Sequence, residues 1–598
     1  MATTRVSTWS TAVPLTGSEV LACEQGVNFR KITIDEVTSY TPYSEVVTTL
    51  TSAAIQTAID NVAALGGGTV QLVAGSYIVS TVIQSDDNVH IKGAGMDATV
   101  LVANTSITGV SVGTDAATYT GVIGAFGKTN CIFSDFTVDM QTNSHPGNGV
   151  ILLPAANPAV KAYEDTVVCV DCRVERVKVK GYDQGTSPTG YSIWNRRAKG
   201  TRILNNVVTG KDTAVYNASS GQEGIEVFGG ENVLISGNYV ENYGNAGIFL
   251  TMGNDFFDTG IKNVIITDNH VKGCRNNIQV QTTVIDTTDA NTLYIVDGCI
   301  IANNTSEDAY QYGISVLQTI AAPNATDICM RGISIENNYV LTSNALVGAA
   351  QLVGIAVTRD LAANVGLPVG VKVSANTVIG GKSGTGEGLV YINNIDDVSF
   401  VDNVVGGDSQ TGTDSYYLLH INNANYIDVK GNTLRDAARS CVRVKDCDFL
   451  TVSDNSFQRT DLLASGIATV YMTGTQEYPV FQNNIVGAPL GVGFVNANST
   501  TTYLKALDNT YTINQNASMI NNMDAATCNF GTFTIVDTDF NHVIVNDMIL
   551  LGGGTQVEVV QTGTTNISAF ALVQSSSGTC VVTRASSSGA ATYSYLIR

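Results

Sequence analysis

Glu223 and Glu226 stand three residues apart in Glu-Gly-Ile-Glu-Val-Phe, and Asp255 and Asp258 repeat that spacing in Gly253-Asn-Asp-Phe-Phe-Asp258. Glycoside hydrolysis needs such carboxyl pairs. One group protonates the leaving oxygen and the other attacks or activates water, about 5 Å apart in retaining enzymes and roughly 6.5–9.5 Å in inverting ones. A ring such as Phe228 or Phe249 beside one of them would raise its pKa and keep it protonated. Trp194, Phe228 and Phe249 offer faces for the C–H surfaces of sugars, and the amides of Gln279 and Gln281 offer bonds to hydroxyls. Arg196, two residues after Trp194, could hold an acidic sugar. Glu226 is the first catalytic candidate, followed by Glu223, Asp255 and Asp258. The competing reading, solvated surface acids, has weight in a chain with 52 acidic residues.

A repeat has to position these residues. An apolar-x-x-Asn-x-apolar signature recurs at Asn206, Asn238, Asn269, Asn304, Asn338, Asn376, Asn403, Asn432, Asn455, Asn484 and Asn509. The mean period, (509 − 206)/10, is about 30 residues, inside the range of solenoids. Between the asparagines lie short alternating segments such as Val233-Leu-Ile235, Val371-Lys-Val373 and Leu450-Thr-Val452, with Gly, Asn and Asp as punctuation. These are strands. No leucine skeleton or helical return supports a leucine-rich repeat. The pattern predicts a right-handed parallel β-helix of three short strands per coil, with coils ~4.8 Å apart. The asparagines would tolerate the left-handed turn and bond to their counterparts in neighbouring coils.

Stacking one strand per coil on its leading small residue aligns Asn148, Gly190, Gly224, Gly247, Asn277, Gly313 and Gly354. Alternation then sends Ile and Val inward. Ser192, Glu226, Phe249, Gln279 and Ser315 form one outward column. Trp194, Phe228, Thr251, Gln281 and Leu317 form the next.

Composition sets bounds. The chain has 598 residues, 14% of them charged, 58 glycines and a net charge of −21. A solenoid escapes the size limit of a single core because each coil touches only its neighbours. The negative charge argues against nucleic acid, which needs basic clusters. Eleven cysteines, odd in number and scattered, read as small buried apolar residues of a protein made in a reducing cytoplasm. There is no apolar run long enough for a membrane span, no secretion signal, and no spacing that implies a metal or other cofactor.

In chain order, residues 1–45 read as a short attachment segment and 46–512 as the solenoid. A helix over 51–65 caps the solenoid's first coil: Ile55, Ala58, Ile59 and Val62 make one apolar stripe, ended by Gly66-Gly-Gly68. Residues 513–598, with alternating strands and no ladder asparagine, read as a C-terminal antiparallel β domain for trimerisation or capping, with carbohydrate binding as a second role for it.

The entry to the solenoid carries a resemblance. The capping helix, Gly-Gly-Gly-Thr-Val, Gly75-Ser-Tyr77 and Ile91-Lys-Gly-Ala-Gly-Met-Asp-Ala-Thr-Val-Leu101 together resemble the opening of the pectate-lyase-like β-helix of bacteriophage tailspikes. Leu15-Thr-Gly-Ser-Glu-Val20 resembles the attachment segment that begins many phage tail proteins. The resemblance spans residues 1 to about 510. It implies a homotrimer on a virion, joined to the phage tail through its N-terminal segment, made in the host cytoplasm and acting on capsule or O-antigen polysaccharide at the host surface. Within this reading a hydrolase is favoured. A lyase would use a base and a cation such as His270, Lys272 and Arg275, and a non-catalytic spike would use the same groove only to grip.

Overall fold

The structure, a computed structural model, describes residues 20–25, 28–33, 43–112, 117–141, 147–155, 167–181, 190–210, 222–252, 261–284, 294–320, 328–342, 352–359, 369–380, 388–407, 417–437, 440–458, 469–487, 495–502, 505–512, 520–521, 530–535, 541–545, 557–563, 570–576, 579–584 and 591–597. From Tyr43 to Thr512 it is a right-handed parallel β-helix. Each coil contributes a strand to each of three faces. Face one runs through Gly190–Lys199, Gln222–Glu231, Ala246–Met252, Asn276–Val284, Tyr312–Ile320, Val353–Arg359 and Gly388–Asn393, every strand parallel to the next. Face two includes Leu234–Ser236 and Ile261–Thr267, and face three includes Tyr239–Glu241 and His270–Lys272.

The interior is a stack of like residues. Ile193, Ile225, Ile248, Ile278, Ile314 and Ile355 follow one another in register, all shielded from water. Fully burying one such side chain is worth about 1.5–3 kcal/mol, so regular stacking carries much of the stability. At the N-terminal end the helix Ser52–Ala64 lies over the first coil with Ile55, Ala58, Ile59 and Val62 buried. Thr51 caps it, its side chain accepting from the Ala54 N–H at 3.3 Å. That plug covers strand groups that a bare solenoid end would expose.

The asparagine ladder is continuous. From Asn206 to Asn484, each Nδ2 donates to the Oδ1 of the next asparagine at 2.8–3.0 Å. The same Oδ1 also accepts the neighbour's backbone N–H. One expectation is corrected: the left-handed residue is not the ladder asparagine but the one before it, such as Asn205 (φ 54°), Asp268 (φ 58°) or Ala375 (φ 55°). That arrangement leaves the asparagine free to turn its amide inward.

A second left-handed column marks the corner before face two. Asn88, Asn130, Asp171, Gly200, Asn232, Asn263, Gly298, Gly332, Gly370 and Asp397 occupy it in successive coils, residue types that tolerate φ > 0. In the next three coils the same corner holds Tyr426 (φ 56°), Phe449 (φ 54°) and Tyr478 (φ 56°). A bulky residue held there costs about 1–3 kcal/mol. The rings stack at centroid distances of 5.0 and 5.2 Å, and each such pair returns about 0.5–1.5 kcal/mol. Two pairs do not offset three strained residues.

Beyond Thr512, Ile520–Asn521 and Phe530–Ile535 still stack parallel on Val495–Thr502 and Lys505–Thr512, and the remaining pairing is antiparallel, with Ala591–Ile597 against Phe530–Ile535 and Val557–Gly563, and Thr579–Arg584 between Asn541–Val545 and Phe570–Ser576. Near the N-terminus, Val20–Gln25 and Asn28–Thr33 form a hairpin.

Candidate functional site

The site is built on face one, where the register differs from the expected one. Trp194 lies directly beside Glu226, and Arg196 beside Phe228, because Gly190 pairs with Gln222 rather than Gly224. Ser192, expected outside, is buried, and its hydroxyl meets the Tyr243 hydroxyl at 2.6 Å. The slip is two residues, so the faces of Trp194 and Arg196 are kept and only their neighbours change. Further along, Glu226 pairs with Phe249, Phe249 with Gln279, and Gln279 with Ser315. Phe228 pairs with Thr251 and Thr251 with Gln281.

Around Trp194 the polar and aromatic groups converge. Its ring is 4.9 Å from that of Tyr191 and 5.8 Å from that of Tyr119. The Arg196 guanidinium sits between two rings, 5.0 Å from the Phe228 centroid and 5.8 Å from that of Trp194. Arg196 also donates to the Tyr119 hydroxyl, whose pKa burial raises. On the preceding coils Phe126, Ile151 and Leu153 make an apolar floor that reaches Trp194.

Both glutamates lie beneath this cluster and are not solvated surface acids: Glu226 is 3% exposed and Glu223 2%. Burial, and then the neighbouring Glu223 carboxylate, push the Glu226 pKa well above the usual carboxylate range. Arg196 and a hydrogen bond from the Tyr191 hydroxyl act in the opposite direction. The Tyr191 pKa is itself raised, first by burial and then by Glu226 and Glu223. Asn245 Nδ2 donates to Glu223 Oε1 at 2.6 Å. Glu226 Oε2 and Trp194 Nε1 are buried with no hydrogen-bond partner among the described residues. Such groups carry a desolvation cost until something binds them.

Gln279 and Gln281 are tied to each other, Nε2 of the first donating to Oε1 of the second at 2.5 Å, while Asn276 Nδ2 donates to Gln279 Oε1 at 2.6 Å. Asp255 and Asp258 lie outside the described residues. Of the basic residues that a lyase would use, His270 and Lys272 lie on face three, whereas Arg275 immediately precedes the face-one strand Asn276–Val284. His270 meets Glu307 at 3.1 Å, Lys272 meets Asp308 at 3.8 Å, and Arg275 donates to Gln311 at 2.9 Å. His270 and Lys272 are thus engaged in ion pairs on another face from Glu226, and Arg275 is bonded to Gln311. Among the described residues no group of His, Cys, Asp and Glu is arranged to hold a metal ion, and no helix is long and apolar enough to cross a membrane.

Tyr191, Tyr119 and Asn245 were not among the residues singled out from sequence. A signal for Tyr191 was present: Trp194 and Glu226 each precede their own ladder asparagine by the same interval, 206 − 194 = 238 − 226. Counting back from the ladder places Tyr191 beside Glu223, as observed.

Residues 48–275 match a family profile described as rhamnogalacturonase A/epimerase, pectate lyase-like, and this stretch, which includes Glu223 and Glu226, has that β-helical fold. No curated protein sequence matches the chain. Among solved structures, a mutant tailspike protein of E. coli bacteriophage HK620 in complex with a hexasaccharide shares 12% identity, covering 97% of both chains with a TM-score of 0.46. The Dettilon tailspike protein shares 11%, covering 94% of this chain and 95% of its own, with a TM-score of 0.38. The A-module of the Azotobacter vinelandii mannuronan C-5 epimerase AlgE4 shares 15%, covering 78% of this chain and 96% of its own, with a TM-score of 0.35. At these identities and TM-scores the likenesses carry no conclusion about activity.

Proposed function

We propose that the protein binds and cleaves a bacterial surface polysaccharide by endo-glycosidic hydrolysis on face one of its β-helix. The observation that carries this reading is Glu226, a buried carboxyl whose pKa is raised by burial and by Glu223 beneath an aromatic wall. A carboxylic acid that keeps its proton near neutral pH is what a leaving glycosidic oxygen needs. In this mechanism Glu226 gives its proton to that oxygen as the glycosidic C–O bond breaks. Glu223, held by Asn245, is the second carboxylate: it either attacks the sugar carbon or takes a proton from the attacking water. One water is consumed, and a hydroxyl and a new reducing end are left. Trp194, Phe228 and Phe249 stack on the sugar rings, while Arg196, Gln279 and Gln281 orient polar substituents.

The wider setting belongs to the same proposal: a homotrimeric phage tailspike, joined to the virion through residues 1–45, with capsule or O-antigen as substrate and 513–598 closing the trimer. A lyase is less well supported, because His270 and Lys272 lie on face three in existing ion pairs and Arg275, at the edge of face one, is bonded to Gln311.

The test is incubation with a panel of capsular and O-antigen polysaccharides. Release of reducing ends without absorbance from an unsaturated uronate supports hydrolysis, and Glu226→Gln should abolish that release while retaining binding. Appearance of the unsaturated product, or binding with no fragments from any polysaccharide, would reject it.

A further inference from the structure

We infer that a second site on face one, formed around Arg443 and His420, holds a carboxylate-bearing sugar of an acidic glycan. This rests on the reading of face one as the polysaccharide-binding face and names the class of polysaccharide. The outward column of Glu226, Phe249, Gln279 and Ser315 continues in register through Ala356, Tyr391, His420, Arg443 and Tyr471. His420 is six coils from Glu226, roughly 29 Å at ~4.8 Å per coil. Beside it run Asn393, Asn422, Lys445 and Thr473. From Tyr391 to Thr473 neither column contains a carboxylate, in a chain with 52 acidic residues against 31 basic ones.

Several cations elsewhere are neutralised across coils. Lys180 meets Asp139 at 3.0 Å, Arg331 meets Asp297 at 2.6 Å and Lys199 meets Glu231 at 3.6 Å, each pair in register on adjacent strands. The positions in register with Arg443 are His420 and Tyr471, and those in register with Lys445 are Asn422 and Thr473. Lys445 meets its sequence neighbour Asp446 at 3.9 Å. Two cations on one side of a strand, with no acid opposite either, repel until an anion joins them.

The groups are also pre-positioned. The Arg443 guanidinium lies 5.1 Å from the Tyr417 ring centroid, and the buried His420 ring packs 5.7 Å from Tyr417 and 5.1 Å from Tyr391. Arg443 and His420 thus lean on one ring. Ser440, two residues before the strand Val442–Ser453, is buried, and its Oγ has no hydrogen-bond partner among the described residues. A bound acceptor would satisfy it. A carboxylate matches this set: its two oxygens fit the guanidinium fork, and it accepts from hydroxyl, imidazole and ammonium groups. A neutral sugar would leave the cations unanswered.

The test is affinity electrophoresis of the full chain in native gels containing polygalacturonate, alginate, hyaluronan or polysialic acid, with dextran as the neutral comparison. At least one acidic polymer should retard the wild type, and dextran should not. Arg443→Gln should bind that polymer about tenfold more weakly with an unchanged Tm, because a charge-assisted, two-oxygen contact is lost. Arg331→Gln removes the same charge from face two and should leave binding intact. If Arg443→Gln melts lower than wild type, Arg443→Lys, which keeps the charge and the stem, decides: it should melt as wild type does and bind about threefold more weakly. The inference is overturned if no acidic polymer retards the wild type, or if dextran retards it equally. It is also overturned if either Arg443 variant binds as wild type does, if both melt lower, or if Arg331→Gln weakens binding as much as Arg443→Gln. Glu226→Gln should be retarded like the wild type. A chain retarded through Arg443 that releases no reducing ends would lose the cleavage reading and keep this one, whereas lost retardation in Glu226→Gln would place the contact at Glu226 and overturn it.

Discussion

Replacing Asn338 by alanine removes one rung of the buried ladder, and its effect can be worked out bond by bond. The side chain donates to the Ile301 carbonyl at 2.8 Å and to Asn376 Oδ1 at 3.0 Å. Its Oδ1 accepts the backbone N–H of Asn304 at 2.9 Å and Asn304 Nδ2 at 3.0 Å. Asn338 is 1% exposed, so water cannot take over these contacts. The Ile301 carbonyl and the Asn304 N–H lose a partner, at about 1–3 kcal/mol for each group left unsatisfied. Allowing for relaxation, the coil should open more easily by about 3 kcal/mol, roughly a hundredfold in the opening equilibrium. Hydrogen exchange read by mass spectrometry over peptides containing Asn304 should accelerate by about that factor, while peptides several coils away stay unchanged, because a solenoid transmits stability only to its neighbours. Gln458→Ala, an exposed side chain whose one bond among the described residues is to Ser456, is the control. If Asn338→Ala exchanges no faster than that control, the ladder is not a stabilising element.

Further outcomes follow from the site and its packing. Because the folded Glu226 carboxyl holds its proton to higher pH than the unfolded one, stability falls as pH rises from the ordinary carboxylate pKa to the raised value, and the deficit persists above it. Glu226→Gln should therefore unfold at a higher temperature than wild type at neutral pH, with the difference closing below about pH 4, and equal melting across that range would count against a raised pKa. Arg196 lowers the Glu226 pKa, so Arg196→Ala should shift the high-pH limb of any activity profile upward; a downward shift would show that the guanidinium does not act on Glu226. Gly247→Ala would place a Cβ 2.4 Å from Val271 Cγ1 and 2.9 Å from the Asn277 carbonyl, and should lose about 1–3 kcal/mol in denaturant titration. At Gly406 the nearest atom is the mobile Arg435 Nε at 3.3 Å, so Gly406→Ala should lose far less; similar losses at both would refute the packing argument.

The solenoid was legible because its signals are periodic. One asparagine per coil, and an Ile or Val at fixed offset, report the ladder and the core without knowledge of any loop. Ala375 shows why the turn was misread: the left-handed position lies beside the asparagine and accepts several residue types, so it leaves no signature. The site was harder to read. Glu223 and Glu226 could be picked by type and spacing, but the groups that meet them, Tyr191 and Asn245, and Tyr119 bonded to Arg196, come from separate segments of the chain. Aligning Gly190 with Gly224 failed because the small leading residue is not the register mark; the interior Ile193–Ile225 pair is. The Tyr426, Phe449 and Tyr478 row lay unread for a similar reason. Tyr426 and Phe449 lie within the continuous strands Tyr417–Lys430 and Val442–Ser453, where sequence alone does not separate a corner from a face.

The most direct test of the account is the pH dependence of kcat/KM for the wild type and Glu226→Gln on a polysaccharide that the wild type cleaves. With Glu226 as proton donor, the wild-type rate should decline as pH rises through that residue's raised pKa, and Glu226→Gln should be slower by about 10²–10⁴-fold at the wild-type optimum. A rate that climbs steadily with pH, as a base-driven elimination would, or turnover by Glu226→Gln equal to wild type, would contradict it.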